Sequence, residues 1–438
     1  MNYVEWYVVL SLIFLALLVI MFTGLPIAFT FMVVSTVVMF AMQGEFGVRQ
    51  LVLGMYDQVA QFSLTPIPFF MIMGEVFYQS GLVSRTLDSL SKFVKKVPGR
   101  LAIITLLGGG VFAALSGSVV ANTAMFGSLM LPEMMSRGYS KKLIAGSIMA
   151  SGALAMVIPP SALAVLLGSI AGISVGKILI GAIIPGIMLM VFYILYTMIV
   201  CTLKPEYAPS FDFEESSLKD KLLGALKDIV PLIFIFLMVM GIIFTGVGTP
   251  TEAAALGALG SYILTIFYKK FSWKLVYKTL VDSLRVTAMI LIIIAGSAGF
   301  SQILAMTGAS RDAVIAIMAM SSSRIIIIAI MLLIIIALGF FMEQTAIMMI
   351  TLPIMMPVVL NLGVDTIWFA VLYLICLQIG QLTPPVGLAL FTMKGVSPPE
   401  VTMGDIYSGA VPFLYMDILV LVLLALIPPL ITWLPNLQ

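Results

Sequence analysis

Long apolar segments, separated by short polar stretches, make up most of this sequence. A helix needs about 20 apolar residues to cross the hydrocarbon core of a bilayer. By this criterion, membrane spans are predicted near residues 4–22, 25–43, 64–81, 140–170, 177–203, 228–245, 250–268, 284–305, 366–395 and 403–433. The pattern therefore predicts an all-α polytopic membrane protein, with the lipid bilayer as its surroundings.

Two further apolar segments, 101–136 and 325–360, carry polar residues near their centres. Neither leaves room for a conventional loop between two full spans, so each is predicted to be a re-entrant hairpin of two short helices. An unsatisfied backbone polar group is costly in lipid, so such a broken segment must be buried in protein or line a cavity. The span after each hairpin is itself interrupted, at Pro159-Pro160 and at Pro384-Pro385.

The two halves of the chain carry the same succession of features. Thr123-Ala124 in the first hairpin matches Thr345-Ala346 in the second, and FTGLP at Phe22 matches FTGVGTP at Phe244. Each half has five spans and one hairpin, and because five is odd the second half must insert upside down. Similar interruptions in both halves point to a transporter's binding site. The predicted units are a first repeat at 1–203, a cytoplasmic linker at 204–227 and a second repeat at 228–438.

The distribution of positive charge orients the chain. With the N-terminus outside, 18 of the 22 lysines and arginines fall on the cytoplasmic side, in agreement with the positive-inside rule. Both termini are then periplasmic. Segments 82–97 and 270–284 have spaced apolar residues among charged ones and are predicted to lie along the cytoplasmic surface, either as arms between a moving and a fixed part or simply at rest there.

Composition excludes several classes of function. Hydrophobic residues make up 62% of the chain and charged residues only 10%, whereas about a quarter of the residues of a soluble domain are charged. A net charge of +2 argues against nucleic acid as a partner. The chain has no histidine, so the usual general base and zinc ligand are missing, which argues against a membrane-embedded enzyme. No organic cofactor is expected.

Oxygen-bearing residues and helix breaks suggest the chemistry of the binding site. The N-terminal ends of half-helices suit an anionic carboxylate. Their C-terminal ends and unwound carbonyls, with Ser, Thr and Asn oxygens, suit sodium. The hairpins offer Ser116, Gly117, Ser118, Asn122, Thr123, Gly339, Glu343, Gln344 and Thr345. The facing breaks offer Ser151, Gly152, Pro159, Pro160, Ser161, Gln378, Gly380, Gln381, Thr383, Pro384, Pro385 and Gly387.

Each of these residues also has a purely structural interpretation. A Ser or Thr in a spanning helix commonly bonds its own i−4 carbonyl, and a proline commonly marks a kink. Glu252 fits a helix start after Thr249 as well as a functional role. Glu343 lies at the predicted tip of the second hairpin, while Glu75 and Asp417 have no partner that the sequence reveals.

Four motifs carry a family resemblance: SGS at 116–118, PPS at 159–161, GTPTEAAALGALG at 248–260 and TPPVG at 383–387. With them, the chain resembles the large membrane (DctM-type) subunit of the TRAP (tripartite ATP-independent periplasmic) transporters over essentially its whole length. The resemblance implies a sodium-driven importer of organic acids in the bacterial inner membrane. It also implies an elevator-type fold with scaffold and transport domains. The implied partners are a separate small four-helix membrane subunit (Q-type) and a periplasmic substrate-binding protein (P-type).

The resemblance also assigns roles to individual residues, with co-transported sodium as the only metal. One sodium site is expected at Ser116, Gly117, Ser118, Asn122 and Gly152, and a second at Gly339, Thr345, Gln381 and Thr383. Substrate contacts are expected from Asn122, Thr123, Pro159, Ser161, Gln344, Pro384 and Pro385. The alternative function is a stand-alone sodium/anion symporter or an ion channel that needs no binding protein. Which organic acid is carried stays open.

Overall fold

The structure, a computed structural model, describes residues 11–13, 15–17, 19–20, 23–93, 97–116, 118–209, 222–320 and 323–438. Within these ranges every regular element is helical, as the sequence predicts. In chain order the α-helices are α1 (Ile27–Val59), α2 (Pro66–Gln79), α3 (Leu82–Phe93), α4 (Arg100–Ser116), α5 (Val119–Ser136), α6 (Lys141–Ala153), α7 (Ala162–Ala171), α8 (Val175–Gly181), α9 (Ile183–Leu203), α10 (Val230–Thr245), α11 (Pro250–Phe267), α12 (Trp273–Met306), α13 (Ala309–Met320), α14 (Arg324–Gly339), α15 (Gln344–Asn361), α16 (Thr366–Leu382), α17 (Leu388–Val396), α18 (Met403–Leu426) and α19 (Pro429–Thr432).

Six helical stretches in the described part of the chain are long and apolar enough to cross a membrane. They are Ile27–Val59, Val175–Leu203, Leu222–Thr245, Trp273–Met306, Gln344–Asn361 and Met403–Leu426. Shorter apolar helices include α7, α14 and α16. These shorter helices belong to the predicted hairpins and broken spans. The long and the short apolar helices together confirm the all-α polytopic fold class.

Both predicted hairpins are pairs of consecutive helices packed against each other. Hairpin 1 consists of α4 and α5, and hairpin 2 consists of α14 and α15. The span after hairpin 1 is α6, continued by a 3-10 turn at Leu154–Met156 and then, beyond the break, by α7. The span after hairpin 2 is α16, a break and α17. The Pro159-Pro160 and Pro384-Pro385 peptide bonds are both cis.

The helices that follow each break pack on the hairpin of the opposite half. Helix α17 lies against α5 of hairpin 1, where Val396 contacts Gly127, and α7 lies against α15 of hairpin 2. Between them, every residue of α16 from Phe369 to Leu382 is buried. A helix that is apolar on all sides belongs in the interior of a large protein. Hairpins and breaks therefore form one interlocked body from both halves of the chain.

Two predicted boundaries differ from the structure. The first is at Gly44, where the span predicted at 25–43 does not end. Gly44 takes φ 61° and ψ −143°, a conformation open to glycine, and α1 resumes and runs to Val59. The residues after Gly44 pack on α12, where the Gln302 side chain donates to the Gln50 carbonyl oxygen at 3.4 Å. Residues that lie between the predicted spans 25–43 and 64–81 are thus helical where they pack against another helix.

The second difference concerns α12, which joins the predicted surface segment 270–284 and the predicted span 284–305 into one helix, Trp273–Met306. The other predicted surface segment, 82–97, is helical as α3, and its positions 94–96 lie outside the described residues. Its buried face includes Leu82, Val83 and Leu87. The division into repeats at 1–203 and 228–438 stays a prediction, as does the linker, of which 210–221 lie outside the described residues.

Helix α3 is also tied to the start of α10. Ser89 Oγ donates to Asp228 Oδ2 at 2.6 Å, and Arg85 Nε lies 3.4 Å from Asp228 Oδ1. The Arg85 guanidinium also lies over the Tyr268 ring at the end of α11, 5.1 Å from its centre. An element from the first half is thus anchored to helices of the second half.

Candidate functional site

The end of α6 packs into hairpin 1 at glycine contacts. A Cβ on Gly152 would lie 2.1 Å from Thr123 Oγ1, and a Cβ on Gly109 would lie 2.3 Å from Ser151 Cβ. Both contacts require a residue without a side chain, because real Cβ atoms do not approach within 3.0 Å. The α6 terminus is therefore held directly against both arms of the hairpin.

The run Gly108-Gly109-Gly110 is a feature that sequence reasoning missed. A Cβ on Gly108 would meet Leu87 of α3 at 2.2 Å, and a Cβ on Gly110 would meet Met190 of α9 at 2.8 Å. The three glycines let three elements, α3, α6 and α9, approach the first arm of hairpin 1. Three consecutive glycines inside an apolar helix, each costing about 1 kcal/mol of helix propensity, were the available signal.

Unpartnered oxygens mark the junction of hairpin 1 with α6. Asn122 is 1% exposed, yet neither atom of its amide has a hydrogen-bond partner among the described residues. Thr123 Oγ1, also buried, likewise has none there. Buried polar groups are nearly always bonded, and a buried unpaired one is costly. The pair therefore leaves an oxygen-rich position for a ligand beside the end of α6.

The tip of hairpin 1 is described only in part. Ser118 is half-buried and caps α5, since its Oγ accepts a hydrogen bond from the Ala121 N–H at 3.2 Å. The other two predicted tip residues, the Ser116 side chain and Gly117, lie outside what the structure describes. Their predicted sodium-binding roles stay predictions.

Hairpin 2 meets α16 through a glycine pair. A Cβ on Gly339 would lie 2.6 Å from the Gly380 Cα, and the reverse contact has the same distance. Next to this crossing, Gln381 Nε2 donates to the Met342 carbonyl oxygen at 3.4 Å. The predicted residues Gly339 and Gln381 are thus brought together, on the last turns of their helices.

Glu343 caps the second arm of hairpin 2. One of its carboxylate oxygens accepts the Thr345 N–H at 2.8 Å, and the other accepts the Thr345 hydroxyl at 3.0 Å. Nearby, the side-chain carbonyl oxygens of Gln344 and Gln381 are buried and have no hydrogen-bond partner among the described residues. The second junction therefore also presents unpartnered oxygens, together with a carboxylate that the first junction lacks among its described residues.

Hydroxyl groups at the two breaks have local partners. Ser161 Oγ donates to the Met156 carbonyl oxygen at 3.0 Å and accepts the Ala164 N–H at 3.4 Å, so it bridges the first break and caps α7. Thr383 Oγ1 donates to the Ile379 carbonyl oxygen at 2.6 Å. Their remaining lone pairs stay open to a ligand.

The two breaks differ in exposure. Pro159 and Pro160 are buried, whereas Pro384 is half-buried and Pro385 is exposed. The Pro385 carbonyl oxygen accepts a hydrogen bond from the Tyr407 hydroxyl at 2.9 Å. The predicted substrate contacts at the first break are thus enclosed, while those at the second are open to the surroundings.

Glu252 caps the start of a helix. Its carboxylate accepts the Thr249 N–H at 2.7 Å while Thr249 Oγ1 accepts the Glu252 N–H at 3.3 Å, a capping box at the start of α11. This arrangement matches the helix-start interpretation of the sequence. Asp417 does have hydrogen-bond partners, Tyr193 of α9 and Gln378 of α16.

Comparison with known proteins gives the context of this site. The family described as "Tripartite ATP-independent periplasmic transporter, DctM component" matches residues 14–430. The C4-dicarboxylate TRAP transporter large permease protein DctM of Pseudomonas aeruginosa is 30% identical over 89% of this chain and 90% of its own length. The 2,3-diketo-L-gulonate TRAP transporter large permease protein YiaN of Escherichia coli is 29% identical over 93% and 94%.

A solved structure supports the fold alone. The YdaH transporter of Alcanivorax borkumensis superposes with a TM-score of 0.64, covering 88% of this chain and 89% of the other, at 14% sequence identity. The curated relatives are permease components of bacterial transporters and not enzymes. This multi-pass membrane protein therefore belongs to the family of DctM components, the large permease subunits, of tripartite ATP-independent periplasmic transporters.

Proposed function

We propose that this protein imports a small organic acid together with sodium across a bacterial inner membrane, with both termini periplasmic. The observation that carries the proposal is the set of buried, unpartnered oxygens at the two hairpin junctions, on Asn122, Thr123, Gln344 and Gln381. Both sets lie where a hairpin meets the helix end before a break. Uptake by the reconstituted protein and its partners tests the proposal.

Sodium fits the chemistry of these junctions. A hard cation prefers oxygen ligands, and helix C-terminal ends supply carbonyl oxygens with partial negative charge. The first site would use Ser116, Gly117, Ser118, Asn122 and Gly152, and the second Gly339, Thr345, Gln381 and Thr383. At the second site the Thr345 hydroxyl donates its hydrogen to Glu343, so its oxygen lone pairs would be left for a cation.

A carboxylate substrate fits between the sodium sites. Helices α5, α7, α15 and α17 all begin at a hairpin tip or at a break, so their first N–H groups are directed toward this region. Asn122, Thr123, Pro159, Ser161, Gln344, Pro384 and Pro385 would line it. C4-dicarboxylates and 2,3-diketo-L-gulonate, named for the two relatives above, both carry carboxylate groups.

Transport in this proposal requires two partners and a moving domain. The tripartite family points to a periplasmic substrate-binding protein that delivers the acid and to a small four-helix membrane subunit. The interlocked hairpins and breaks would move as the transport domain of an elevator, against a scaffold that includes α1, α10 and α11. Helix α3 would connect the two, because it packs on hairpin 1 and is anchored to Asp228.

The deciding experiment measures uptake of candidate acids into proteoliposomes that contain both membrane subunits and the binding protein. A sodium gradient should drive accumulation, and replacing sodium by potassium should abolish it. Sodium-independent uptake would exclude the cation sites. Substrate accumulation without the binding protein would instead favour a stand-alone symporter, and currents without organic substrate would favour a channel.

A further inference from the structure

Three polar side chains meet in the interior, away from the hairpin junctions. Tyr193 of α9, Gln378 of α16 and Asp417 of α18 are each 0% exposed. Tyr193 comes from the first half of the chain and the other two from the second half. The cluster is therefore a polar contact between the halves inside an otherwise apolar core.

Hydrogen bonds close this cluster into a ring. The Tyr193 hydroxyl donates to Asp417 Oδ1, and Gln378 Nε2 donates both to the Tyr193 hydroxyl oxygen and to Asp417 Oδ1, each at 2.9 Å. Two atoms are left over. Asp417 Oδ2 and Gln378 Oε1 are buried and have no hydrogen-bond partner among the described residues.

The Asp417 carboxyl group also has no counter-ion among the residues that the structure describes. The ion pairs in the described part of the chain involve Asp228, Glu133 and Asp282 instead. The elements packed against α18 are α6, α9, α16, α17 and no others of comparable contact in that part of the chain. Their titratable or charged residues are Lys141, Lys142, Tyr193, Tyr196, Cys201, Tyr373, Cys376 and Lys394.

None of the three lysines serves Asp417. Lys141 Nζ donates to the Glu400 carbonyl oxygen and Lys394 Nζ to the Val401 carbonyl oxygen, each at 2.6 Å, and Lys142 lies at the start of α6 beside Lys141. The Tyr373 hydroxyl forms a hydrogen bond with the Thr351 hydroxyl instead. An ionised carboxylate buried without a cation is strongly disfavoured.

We propose that the Tyr193–Gln378–Asp417 cluster is a proton-binding site in which Asp417 is held as a neutral carboxylic acid. The proton sits on Oδ2 and is donated to Gln378 Oε1, while Gln378 Nε2 donates back to Oδ1. This two-bond pairing of an acid with an amide uses both leftover atoms. Without the proton, the two unpaired atoms, Asp417 Oδ2 and Gln378 Oε1, are both hydrogen-bond acceptors. The proton on Oδ2 supplies the donor that lets them pair.

The bound proton has a consequence for the neighbouring junction. Gln378 lies one turn before Gln381 on α16, so the acid–amide pair fixes the rotation of the helix that presents Gln381 to hairpin 2. Asp417 acts here as a positioning residue. Because the pair is neutral, it ties the two halves together without placing a charge in the membrane interior.

Infrared difference spectroscopy of the purified full-length protein in lipid nanodiscs tests the proposal. Subtracting the Asp417→Asn spectrum from that of the wild type should isolate one C=O band of a protonated carboxyl group. The band should shift in D₂O and persist from mildly acidic to mildly alkaline pH. Glu206→Gln, which alters an exposed carboxylate, is the matched control and should remove only a carboxylate band.

A second variant keeps the test decisive if Asp417→Asn fails to fold. Tyr193→Phe removes one donor to Oδ1 and should move the protonated C=O band without abolishing it, whereas an ionised Asp417 would give no such band to move. In thermal unfolding, Asp417→Asn should retain the midpoint, since an amide restores two-bond pairing, whereas Asp417→Leu should lower it. A carboxylate band in the difference spectrum, or loss of the protonated band on moving from acidic to neutral pH, would overturn the proposal.

Discussion

The crossing of Gly339 and Gly380 predicts a sharp effect for one added methyl group. In Gly339→Ala the new Cβ would lie 2.6 Å from the Gly380 Cα, whereas ordinary Cβ contacts begin at 3.4 Å. Because the obstacle is backbone, no side chain can rotate aside, and α14 must move away from α16 by about 0.8 Å. The Gln381–Met342 hydrogen bond, already 3.4 Å long, would then be lost. Overpacking of this kind costs about 1–3 kcal/mol.

The assay combines thermal unfolding with the sodium dependence of uptake. Gly339→Ala should unfold at lower temperature and require more sodium for half-maximal uptake, by about tenfold if 1.4 kcal/mol of the strain falls on the sodium-bound state. Gly241→Ala is the control, because outside its own helix turn no atom of the described residues lies within 4 Å of the added Cβ. It should leave both quantities unchanged or raise the midpoint. Wild-type stability and sodium dependence in Gly339→Ala would refute the reasoning.

The remaining predictions concern the ligands and the arm. Thr123→Val removes an unpartnered buried hydroxyl at a proposed substrate contact, so it should stabilise the substrate-free protein by about 1 kcal/mol while weakening uptake. In the control Thr197→Val, loss of the hydrogen bond from the Thr197 hydroxyl to the Tyr193 carbonyl oxygen should lower the unfolding midpoint and leave uptake intact. Sodium at about 100 times its dissociation constant should stabilise the wild type by about 2.7 kcal/mol in calorimetry, and potassium should not; equal shifts with both ions would argue against specific sites. Asp228→Ala removes the partner of Ser89 and Arg85 of α3, so it should slow uptake without changing the sodium concentration needed for half-maximal uptake. Arg311→Ala is the control and should change neither quantity. A normal uptake rate in Asp228→Ala would show that this anchor is dispensable.

Local patterns in the sequence were sufficient to predict the helix pairs at 101–136 and 325–360 and the two broken helices. Polar residues inside apolar segments and paired prolines can be recognised from each segment alone, without knowing its neighbours in the fold. Both breaks lie where the prolines predict them. The extension of α1 beyond Gly44 was not readable, because residues 45–59 become helical through packing on α12, which lies more than two hundred residues away.

The candidate site shows the same division between local and distant information. Sequence reasoning singled out Asn122, Thr123, Gln344 and Gln381, and the structure leaves polar atoms of all four without partners among the described residues. It could not reveal that Asp417 bonds Tyr193, 224 residues earlier, or that Glu343 uses its carboxylate on its own helix start. Such pairings depend on which helices become neighbours, and hydropathy carries no information about that choice.

The Gly108-Gly109-Gly110 run has a mechanical consequence. Each glycine leaves the space of a Cβ to a different neighbour, Leu87 of α3, Ser151 of α6 or Met190 of α9, so the first arm of hairpin 1 is packed on three sides. Swinging this arm outward like a gate would open voids against α3, α6 and α9 at once, and each void forfeits close contacts. Hairpin 1 is therefore expected to travel as a rigid piece with its neighbours, so that solvent reaches the first junction by displacement of the whole block.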